Sequence, residues 1–217
     1  MSNRLNGFDK LASVYDRLAS LVFGRALYHA QKVHLNNIPP ASTVVVLGGG
    51  SGAMLRPLFG RFPTRVVYIE ASAAMLARAQ EQFKNHPGTA LVEWVHGTEE
   101  DLANYSQFDA VITQFVLDCY SEATLPTAIH NIRQALKADG HWLVADFGLT
   151  QNAPWWQRAL IWTMYRFFRL TAQIEATELL PYDQYLKDVG LKEVKRATFY
   201  HHMVFATVYE AQASANK

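Results

Sequence analysis

The chain has 217 residues, half of them hydrophobic, and its 20 basic and 19 acidic residues leave a net charge of +1. This length is enough for one sizeable core, so we expect a single domain, and the near-neutral charge supplies no overall field that would attract nucleic acid. The one cysteine, Cys119, excludes an internal disulfide framework and a metal site built from several cysteines. We therefore expect a small-molecule partner and predict neither nucleic-acid binding nor a metal site.

The sequence predicts no export signal and no integral membrane span. The first seven residues contain no apolar stretch of the kind that a secretory signal needs. The most apolar segment, residues 155–170, is interrupted by Arg158, Arg166 and Arg169, which makes it too short and too charged to cross a membrane. We therefore expect a cytoplasmic protein.

The chain is predicted to begin with a helical cap, residues 1–40. Within it, residues 8–35 carry apolar side chains at helical spacing and form one or two helices, and Pro39 and Pro40 end the run. The cap precedes the first predicted strand, so its helices come before the core in the chain.

Strands and helices alternate over residues 41–150, the predicted core. Continuous β-branched runs such as residues 44–46 suit strands that are covered on both faces, and strands that alternate with helices indicate parallel βαβ units. The sequence therefore predicts a doubly wound α/β sheet. The predicted strands are 43–47, 65–70, 90–96, 109–114 and 141–147, and the predicted helices are 52–60, 72–85 and 122–137.

Beyond the core, residues 151–190 are predicted to be a helical insertion, and residues 191–217 a terminal strand pair. The two last strands follow each other directly, so a tight reversal near Tyr200 and His201 makes them antiparallel. Together these elements predict a Rossmann-like sheet of seven strands that is mostly parallel, with an antiparallel strand at the C-terminus. The predicted helices here are 154–170 and 182–189, and the strands are 191–200 and 202–211.

A glycine-rich stretch directly follows the first predicted strand. Gly48 and Gly50 permit backbone angles that residues with a Cβ avoid, and they let a ligand approach the main chain. The helix predicted to follow offers unpaired N–H groups and the positive end of its dipole. This order predicts a cradle for an adenosine-containing cofactor, with a glycine-rich turn that binds nothing as the alternative.

Glu70 ends the second predicted strand, 18 residues after Gly52. The second strand of a βαβ unit returns beside the first, so the Glu70 carboxylate is placed to accept hydrogen bonds from a ribose diol. A surface carboxylate without a ligand is the alternative. Gly48, Gly50 and Ala53 also satisfy the alanine form of the dinucleotide fingerprint, so these residues do not separate NAD from S-adenosylmethionine.

Several motifs in register resemble those of the class I S-adenosylmethionine-dependent methyltransferases. Gly48, Gly50 and Gly52 match the Gly-x-Gly-x-Gly that follows the family's first strand. Glu70 and residues 72–76 match the acid and the Ser-x-x-Met-Leu helix that come after its second strand. Residues 96–102 resemble the loop that frames the adenine, residues 108–112 the fourth strand, and residues 136–144 the turn and fifth strand.

The resemblance implies a methyltransferase fold, S-adenosyl-L-methionine as the cofactor and methylation of a small molecule. Residues 8–16 are similar to the opening of small-molecule methyltransferases, including those of the quinone-biosynthesis type. The cofactor contacts that the resemblance and the loop positions imply are Tyr15, Gly48, Gly49, Gly50, Gly52, Glu70, Ala71, Met75, Thr98, Glu99 and Gln114.

The sequence departs from the family at two positions. Val46 stands where the first strand usually carries an acid, and Thr98 stands where the adenine loop usually carries Asp. The usual acid helps to hold the methionine end of the cofactor, and a lost charge-assisted hydrogen bond costs roughly 1.5–3 kcal/mol. A catalytically silent relative that binds S-adenosylmethionine is therefore an alternative to an active enzyme.

Methyl transfer is an in-line displacement, which needs alignment and exclusion of water rather than a covalent nucleophile. Asp118 follows the fourth predicted strand, where it is placed to act as a base or to cap the helix that begins near Ser121. Tyr15 lies on the cap and is expected to contact cofactor or substrate. Asp118 and Tyr15 are therefore the catalytic candidates, and Asp146 and His29 are the weaker ones.

The predicted helix 154–170 is rich in aromatic residues. This fold commonly inserts substrate-covering elements between its fifth strand and the terminal strand pair, so the helix favours a hydrophobic or aromatic acceptor. Packing in the core, a homodimer interface and peripheral contact with a membrane surface are the alternatives. A nicotinamide-dependent reductase is the rival enzyme class, but it leaves the match at residues 72–76 and the antiparallel ending unexplained.

Overall fold

The computed structural model describes residues 22–105, 107–171 and 175–211. Strands make up its centre and helices lie on both faces. The strands are β1 (Thr43–Leu47), β2 (Arg65–Glu70), β3 (Val92–His96), β4 (Phe108–Gln114), β5 (Leu136–Phe147), β6 (Leu191–Phe199) and β7 (Val204–Ala211). The α-helices are α1 (Ala26–Lys32), α2 (Leu55–Phe59), α3 (Ala73–Phe83), α4 (Leu125–Ala135), α5 (Trp155–Thr171) and α6 (Tyr182–Asp188).

The seven strands form one sheet in the order β3-β2-β1-β4-β5-β7-β6. Strands β1 to β5 pair in parallel, whereas β7 pairs antiparallel with both β5 and β6. The order reverses between β1 and β4, which is where ligands bind in open α/β sheets. The predicted doubly wound sheet with an antiparallel C-terminal strand is confirmed.

The reversal predicted near Tyr200 and His201 joins β6 to β7. Tyr200, His201 and His202 have φ values of +45°, +55° and +64°, so three successive residues with a Cβ adopt the left-handed conformation. The Gln157 side-chain amide of α5 donates a hydrogen bond to the His201 carbonyl oxygen at 2.9 Å. The turn is therefore held against α5.

Most element bounds differ from the sequence prediction by one to five residues, and two of these differences have a clear structural cause. The helix predicted at 52–60 begins only at Leu55, because the preceding residues turn around the glycine loop. The fifth strand begins at Leu136 rather than at residue 141, since Leu136 pairs with Phe108 ahead of a register shift. Of the predicted cap helices, α1 is confirmed at 26–32, and the part before residue 22 lies outside the described residues.

Apolar clusters cover both faces of the sheet. Trp142 and Phe108 lie in the cluster under α4 and α6, and Tyr68 and Met54 lie in the cluster under α2 and α3. A third cluster joins α5 to the ends of β5 and β7 and includes Phe147. Within the described ranges, no helix has the length and hydropathy that a membrane crossing requires.

Candidate active site

A cavity of about 230 Å³ opens at the carboxyl ends of the parallel strands. Strands β1 to β4 all end at its wall, so chain segments that are far apart in sequence meet there. Most of the residues predicted for the site line this one cavity. They are Gly48, Gly49, Gly50, Glu70, Ala71, Met75, Thr98, Glu99, Gln114 and Asp118.

The other predicted site residues lie elsewhere. Gly52 is not part of the cavity wall: a Cβ there would meet Ala79 at 3.2 Å and Phe83 at 3.1 Å, so its small size allows α3 to pack on the loop. His29 is exposed on α1, away from the cavity. Tyr15 lies outside the described residues.

The glycine loop is shaped by its neighbours as well as by its own dihedral angles. Gly48 and Gly50 have φ values of +68° and +61°, in the region where L side chains are strained. A Cβ on Gly48 would lie 2.1 Å from the Val116 side chain, and a Cβ on Gly49 would lie 2.2 Å from the Tyr68 ring. Only glycine fits at these two positions, and beside Gly50 the space is open as far as Met75.

Glu70 holds this loop in place. One carboxylate oxygen accepts a hydrogen bond from the Gly50 N–H and the other from the Ser72 N–H, each at 2.8 Å. Burial raises the pKa of Glu70, while the backbone N–H donors work against that rise. The Ser72 hydroxyl in turn accepts from the Met75 N–H at 3.1 Å and caps α3. The carboxylate therefore lines the cavity in a fixed orientation, which suits recognition of a ribose diol.

Val46 is a core residue. It is fully buried, pairs in register with Tyr68 and does not line the cavity, whose wall is formed at this point by Leu47. A polar group at position 46 would lie among apolar side chains, where it could not form a hydrogen bond to a ligand in the cavity.

Thr98 stabilises the loop after β3. Its N–H donates to the Asp101 carboxylate at 2.9 Å, and its hydroxyl caps the following short 3₁₀ helix, residues Glu99–Asn104. The hydroxyl of Tyr120 donates a hydrogen bond to the buried Glu99 carboxylate. Thr98 and Glu99 thus present a rigid loop to the cavity.

Asp118 faces the cavity and lies against the fully buried Asp146. Asp146 accepts backbone hydrogen bonds from Leu117 and Phe147, each at 2.9 Å, and from Asp118 at 3.3 Å. Burial raises the pKa of Asp118 to about 6, and burial together with repulsion from Asp118 raises the pKa of Asp146. The two neighbouring carboxyl groups therefore hold their protons to higher pH than an isolated aspartate does, and Asp118 is suited to general-base catalysis.

The alternative that Asp118 caps the next helix is wrong. Helix α4 begins at Leu125 with Thr124 as its N-cap residue, and the Ser121 N–H donates to the Thr124 hydroxyl at 3.1 Å. Asp118 instead lies in the short 3₁₀ turn Leu117–Cys119, whose Cys119 thiol donates to its carboxylate at 3.5 Å. Burial raises the pKa of the Cys119 thiol, so the group stays protonated.

Helix α5 covers one side of the cavity. Met164, Tyr165 and Phe168 line the wall, and the Tyr165 hydroxyl donates to the Asp118 carbonyl oxygen at 3.1 Å. Trp155 and Trp162 lie away from the cavity and are 80% and 63% exposed. One face of the aromatic helix therefore contributes to the site and another faces outward.

Several wall residues were not singled out from the sequence. Phe115 directly follows β4 with a φ of +56°, and Phe147 ends β5; the rule that sites lie after parallel strands would have found both. The Gln114 side-chain amide donates to the Gln31 carbonyl oxygen at 3.1 Å, which attaches α1 to the cavity wall. Neither Gln31 nor Glu175 carries a sequence signal, since both reach the site only through the packing of their segments.

The spacing Tyr-x-x-x-Lys, which marks one class of nicotinamide-dependent reductases, occurs at Tyr28 and Lys32. Both residues lie on α1 outside the cavity wall, and the Lys32 ammonium lies 3.6 Å from the centre of the Tyr28 ring. Neither side chain lines the cavity, so this pair cannot donate a proton to a substrate bound there. It therefore does not support the reductase class.

Comparison with known proteins identifies a methyltransferase domain in part of the chain. Residues 44–140 match the family model described as a methyltransferase domain. A sequence search of curated proteins finds no match. The matched residues run from β1 into β5 and include the glycine loop, Glu70, Thr98 and Asp118.

Solved methyltransferase structures share the whole fold. The N-methyltransferase NodS from Bradyrhizobium japonicum, solved with S-adenosyl-L-homocysteine, is 18% identical with a TM-score of 0.73, covering 97% of this chain and 100% of its own. The Burkholderia thailandensis 1,6-didemethyltoxoflavin-N1-methyltransferase, solved with 1,6-didemethyltoxoflavin and S-adenosylhomocysteine, is 14% identical with a TM-score of 0.68, covering 96% and 88%.

A third match comes from the complex of the Haloferax volcanii Trm112 methyltransferase activator with a methyltransferase. The matched chain of this complex is 17% identical to this protein with a TM-score of 0.70. The match covers 98% of this chain and 99% of that chain. The family match includes the glycine loop and Glu70, and the structural matches extend over the terminal strands. The chain therefore contains a methyltransferase domain over residues 44–140 and has the fold of solved methyltransferases.

Proposed function

We propose that this protein transfers a methyl group from S-adenosylmethionine to a small hydrophobic or aromatic acceptor by in-line displacement. The observation that carries the proposal is that a single cavity is lined both by the glycine loop and Glu70 and by Phe115, Phe147 and Phe168. Bound S-adenosylmethionine supplies a sulfonium methyl group that is open to attack by a nucleophile.

The residues of the glycine loop and its supports fit the cofactor. Gly50 leaves open space beside the main chain, and the Glu70 carboxylate is fixed by two backbone N–H groups with its further lone pairs available for ribose hydroxyls. Thr98 and Glu99 belong to a capped, rigid loop after β3, and the resemblance to the methyltransferases assigns the adenine to this loop. We assign these residues to cofactor binding.

The aromatic part of the wall fits the acceptor. Phe115, Phe147 and Phe168 offer flat apolar surface, and α5 forms part of the cavity wall. Water exclusion and alignment are the main requirements of a displacement reaction. Asp118 lies at this part of the wall and serves as the base that removes a proton from the acceptor.

The small acceptor also agrees with the matched Burkholderia enzyme, which was solved with 1,6-didemethyltoxoflavin bound. A protein that binds S-adenosylmethionine without catalysis is the competing function, because Val46 replaces the acid that the family usually has at this position. An assay with S-adenosylmethionine labelled on its methyl group separates the two. We expect label in lipophilic aromatic acceptors and little label in polar acceptors of similar size; equal labelling of both sets, or cofactor binding without any transfer, would contradict the proposal.

A further inference from the structure

Helix α5 carries a row of large exposed side chains on the face opposite to the one that lines the cavity. The members of this row are three or four residues apart, the spacing that places helical side chains on one face. Trp155 and Trp162 are its apolar members and are 80% and 63% exposed. We call this row the outer stripe; its members, all exposed and none of them in the cavity wall, are Trp155, Arg158, Trp162, Arg166 and Arg169.

The other face of α5 is fixed to the protein. Ile161 and Tyr165 are 5% and 3% exposed and belong to the apolar cluster at the ends of β5 and β7. The buried Gln157 side chain is bonded to the turn between β6 and β7. These contacts set the rotation of the helix about its axis and turn the outer stripe toward solvent. An indole ring gains much free energy when it leaves water, so two exposed rings on one face indicate an interaction surface.

The charges of the outer stripe are all positive. Three of its five members are arginines, and the chain has no acidic residue between Asp146 and Glu175. The guanidinium carbon of Arg166 lies 5.6 Å from the centre of the Trp162 ring, so a positive group and an apolar ring are neighbours on this face. The net charge of the whole chain is only +1. The positive charge is therefore a local feature of α5.

A bilayer that contains anionic lipids matches both properties of the outer stripe. Tryptophan is enriched at the boundary between headgroups and acyl chains, where its ring is in apolar surroundings and its N–H stays near water. Arginine side chains reach headgroup phosphates from a helix that lies in the plane of the bilayer. A second copy of this protein fits less well, because the pairing of two outer stripes would bring arginines of like charge together.

We propose that the outer stripe binds the surface of an anionic lipid bilayer, with α5 parallel to that surface, the two tryptophans among the headgroups and the three arginines at lipid phosphates. This inference goes beyond the proposed function and does not depend on methyl transfer. Met164 and Phe168 line the cavity from the other side of α5, so one helix diameter, about 10 Å, would separate the cavity from the lipid. The bound protein would thus have its cavity next to the bilayer.

Vesicle flotation with the unsubstituted protein tests the proposal. One set of vesicles contains phosphatidylcholine alone, and the other contains phosphatidylcholine and phosphatidylserine in roughly equal parts. Each arginine near an anionic surface strengthens binding about fivefold. We therefore expect at least about tenfold tighter binding to the anionic vesicles, a blue shift of the tryptophan emission and weaker binding at high salt. No binding, or equal binding to both sets of vesicles, would overturn the inference.

The role of the tryptophan rings is tested by Trp155→Ala combined with Trp162→Ala. We expect this double variant to bind anionic vesicles at least about tenfold more weakly, because it loses both rings that enter the headgroup region. Phe62→Ala is the matched control, since Phe62 is 76% exposed but lies outside α5, and it should bind as the unsubstituted protein does. All three side chains are exposed, so an unchanged unfolding temperature shows that the variants are folded. Equal losses of binding in the double variant and the control would overturn the assignment.

The role of the arginines is tested by Arg166→Gln combined with Arg169→Gln. At about fivefold for each arginine, binding to anionic vesicles should weaken about 25-fold. Arg56→Gln replaces an exposed arginine of α2 and should leave vesicle binding unchanged. Unchanged binding in the Arg166 and Arg169 double variant would overturn the inference. A dimer in solution that the tryptophan substitutions dissociate would also overturn it, in favour of a contact between two copies.

Discussion

The Tyr68 hydroxyl donates a hydrogen bond to the Gly50 carbonyl oxygen at 2.9 Å, so the second strand supports the glycine loop from beneath. The Tyr68 ring also fills the space that a side chain at Gly49 would need. Burial raises the pKa of Tyr68, which keeps its hydroxyl a donor. The loop is therefore held by the hydrogen bonds that Gly50 forms with both Tyr68 and Glu70.

Substitution of Gly49→Ala should test this support. The added Cβ would lie 2.2 Å from the Tyr68 ring, and overpacking of this kind costs typically about 1–3 kcal/mol. We expect a lower free energy of unfolding in a denaturant titration and weaker binding of S-adenosylhomocysteine. Tyr68→Phe keeps the ring and loses only the hydroxyl, so it should cost about 1 kcal/mol. A Gly49→Ala variant as stable as the parent would contradict the packing described for the loop.

Substitution of Val46→Asp, which restores the acid usual in the family, should destabilise this protein. Val46 is fully buried beside Tyr68 in an apolar cluster, and an unpartnered carboxylate there is costly. We expect the free energy of unfolding to fall by more than about 3 kcal/mol, because a buried charge left without a partner destabilises a protein by about this amount. Val46→Ala is the control for lost apolar volume alone. Tighter cofactor binding by a normally stable Val46→Asp protein would show that the family's acid fits this chain after all.

The sheet can be predicted well from the sequence because the residue patterns that indicate it are short and continuous in the chain. The β-branched run of β1, the glycines after it and the acid at the end of β2 each follow from residues adjacent in the chain. Glu175 and Gln31 were not predictable, since they reach the cavity only when α5 and α1 pack on the sheet. The role of Thr98 was also missed: its hydroxyl caps the following 3₁₀ helix and its N–H donates to Asp101.

Asp118→Asn should abolish a pH dependence of activity. The pKa of Asp118 is raised to about 6, so its base form is lost as the pH falls below that value. We expect the rate constant of methyl transfer to rise through about pH 6 in the parent protein, and to be low without this step in Asp118→Asn. A variant that keeps the same pH profile would exclude Asp118 as the base.

The same substitution should raise stability. Because the pKa of Asp118 is higher in the folded state than its ordinary value of 3.8, the unfolded chain loses this proton first. The free energy of unfolding should therefore fall between about pH 4 and pH 6 and stay lower above that range. Asp118→Asn removes this pH-dependent loss of stability and the repulsion with Asp146. The free energy of unfolding of the variant at pH 8 should therefore exceed that of the parent protein. Equal pH dependence in both proteins would contradict the paired carboxyls.

Phe168→Ala should weaken acceptor binding and leave cofactor binding intact. Phe168 lines the cavity on α5, whereas Trp162 on the same helix does not and is 63% exposed. We expect KM for the acceptor to rise about tenfold or more, since burial of a phenyl group is worth about 1.5–3 kcal/mol. Trp162→Ala is the matched control and should leave KM unchanged when no lipid is present. Equal changes in KM for the two substitutions would show that the residues of α5 that line the cavity do not bind the acceptor.

Calorimetric titration of the protein with S-adenosylhomocysteine tests the central claim most directly, with NAD⁺ and the Glu70→Ala variant measured alongside. We expect the protein to bind one S-adenosylhomocysteine, to show no heat of binding with NAD⁺, and to lose affinity at least tenfold in Glu70→Ala, because the carboxylate holds Gly50 and is proposed to bind the ribose. Binding of NAD⁺ with none of S-adenosylhomocysteine would contradict the account.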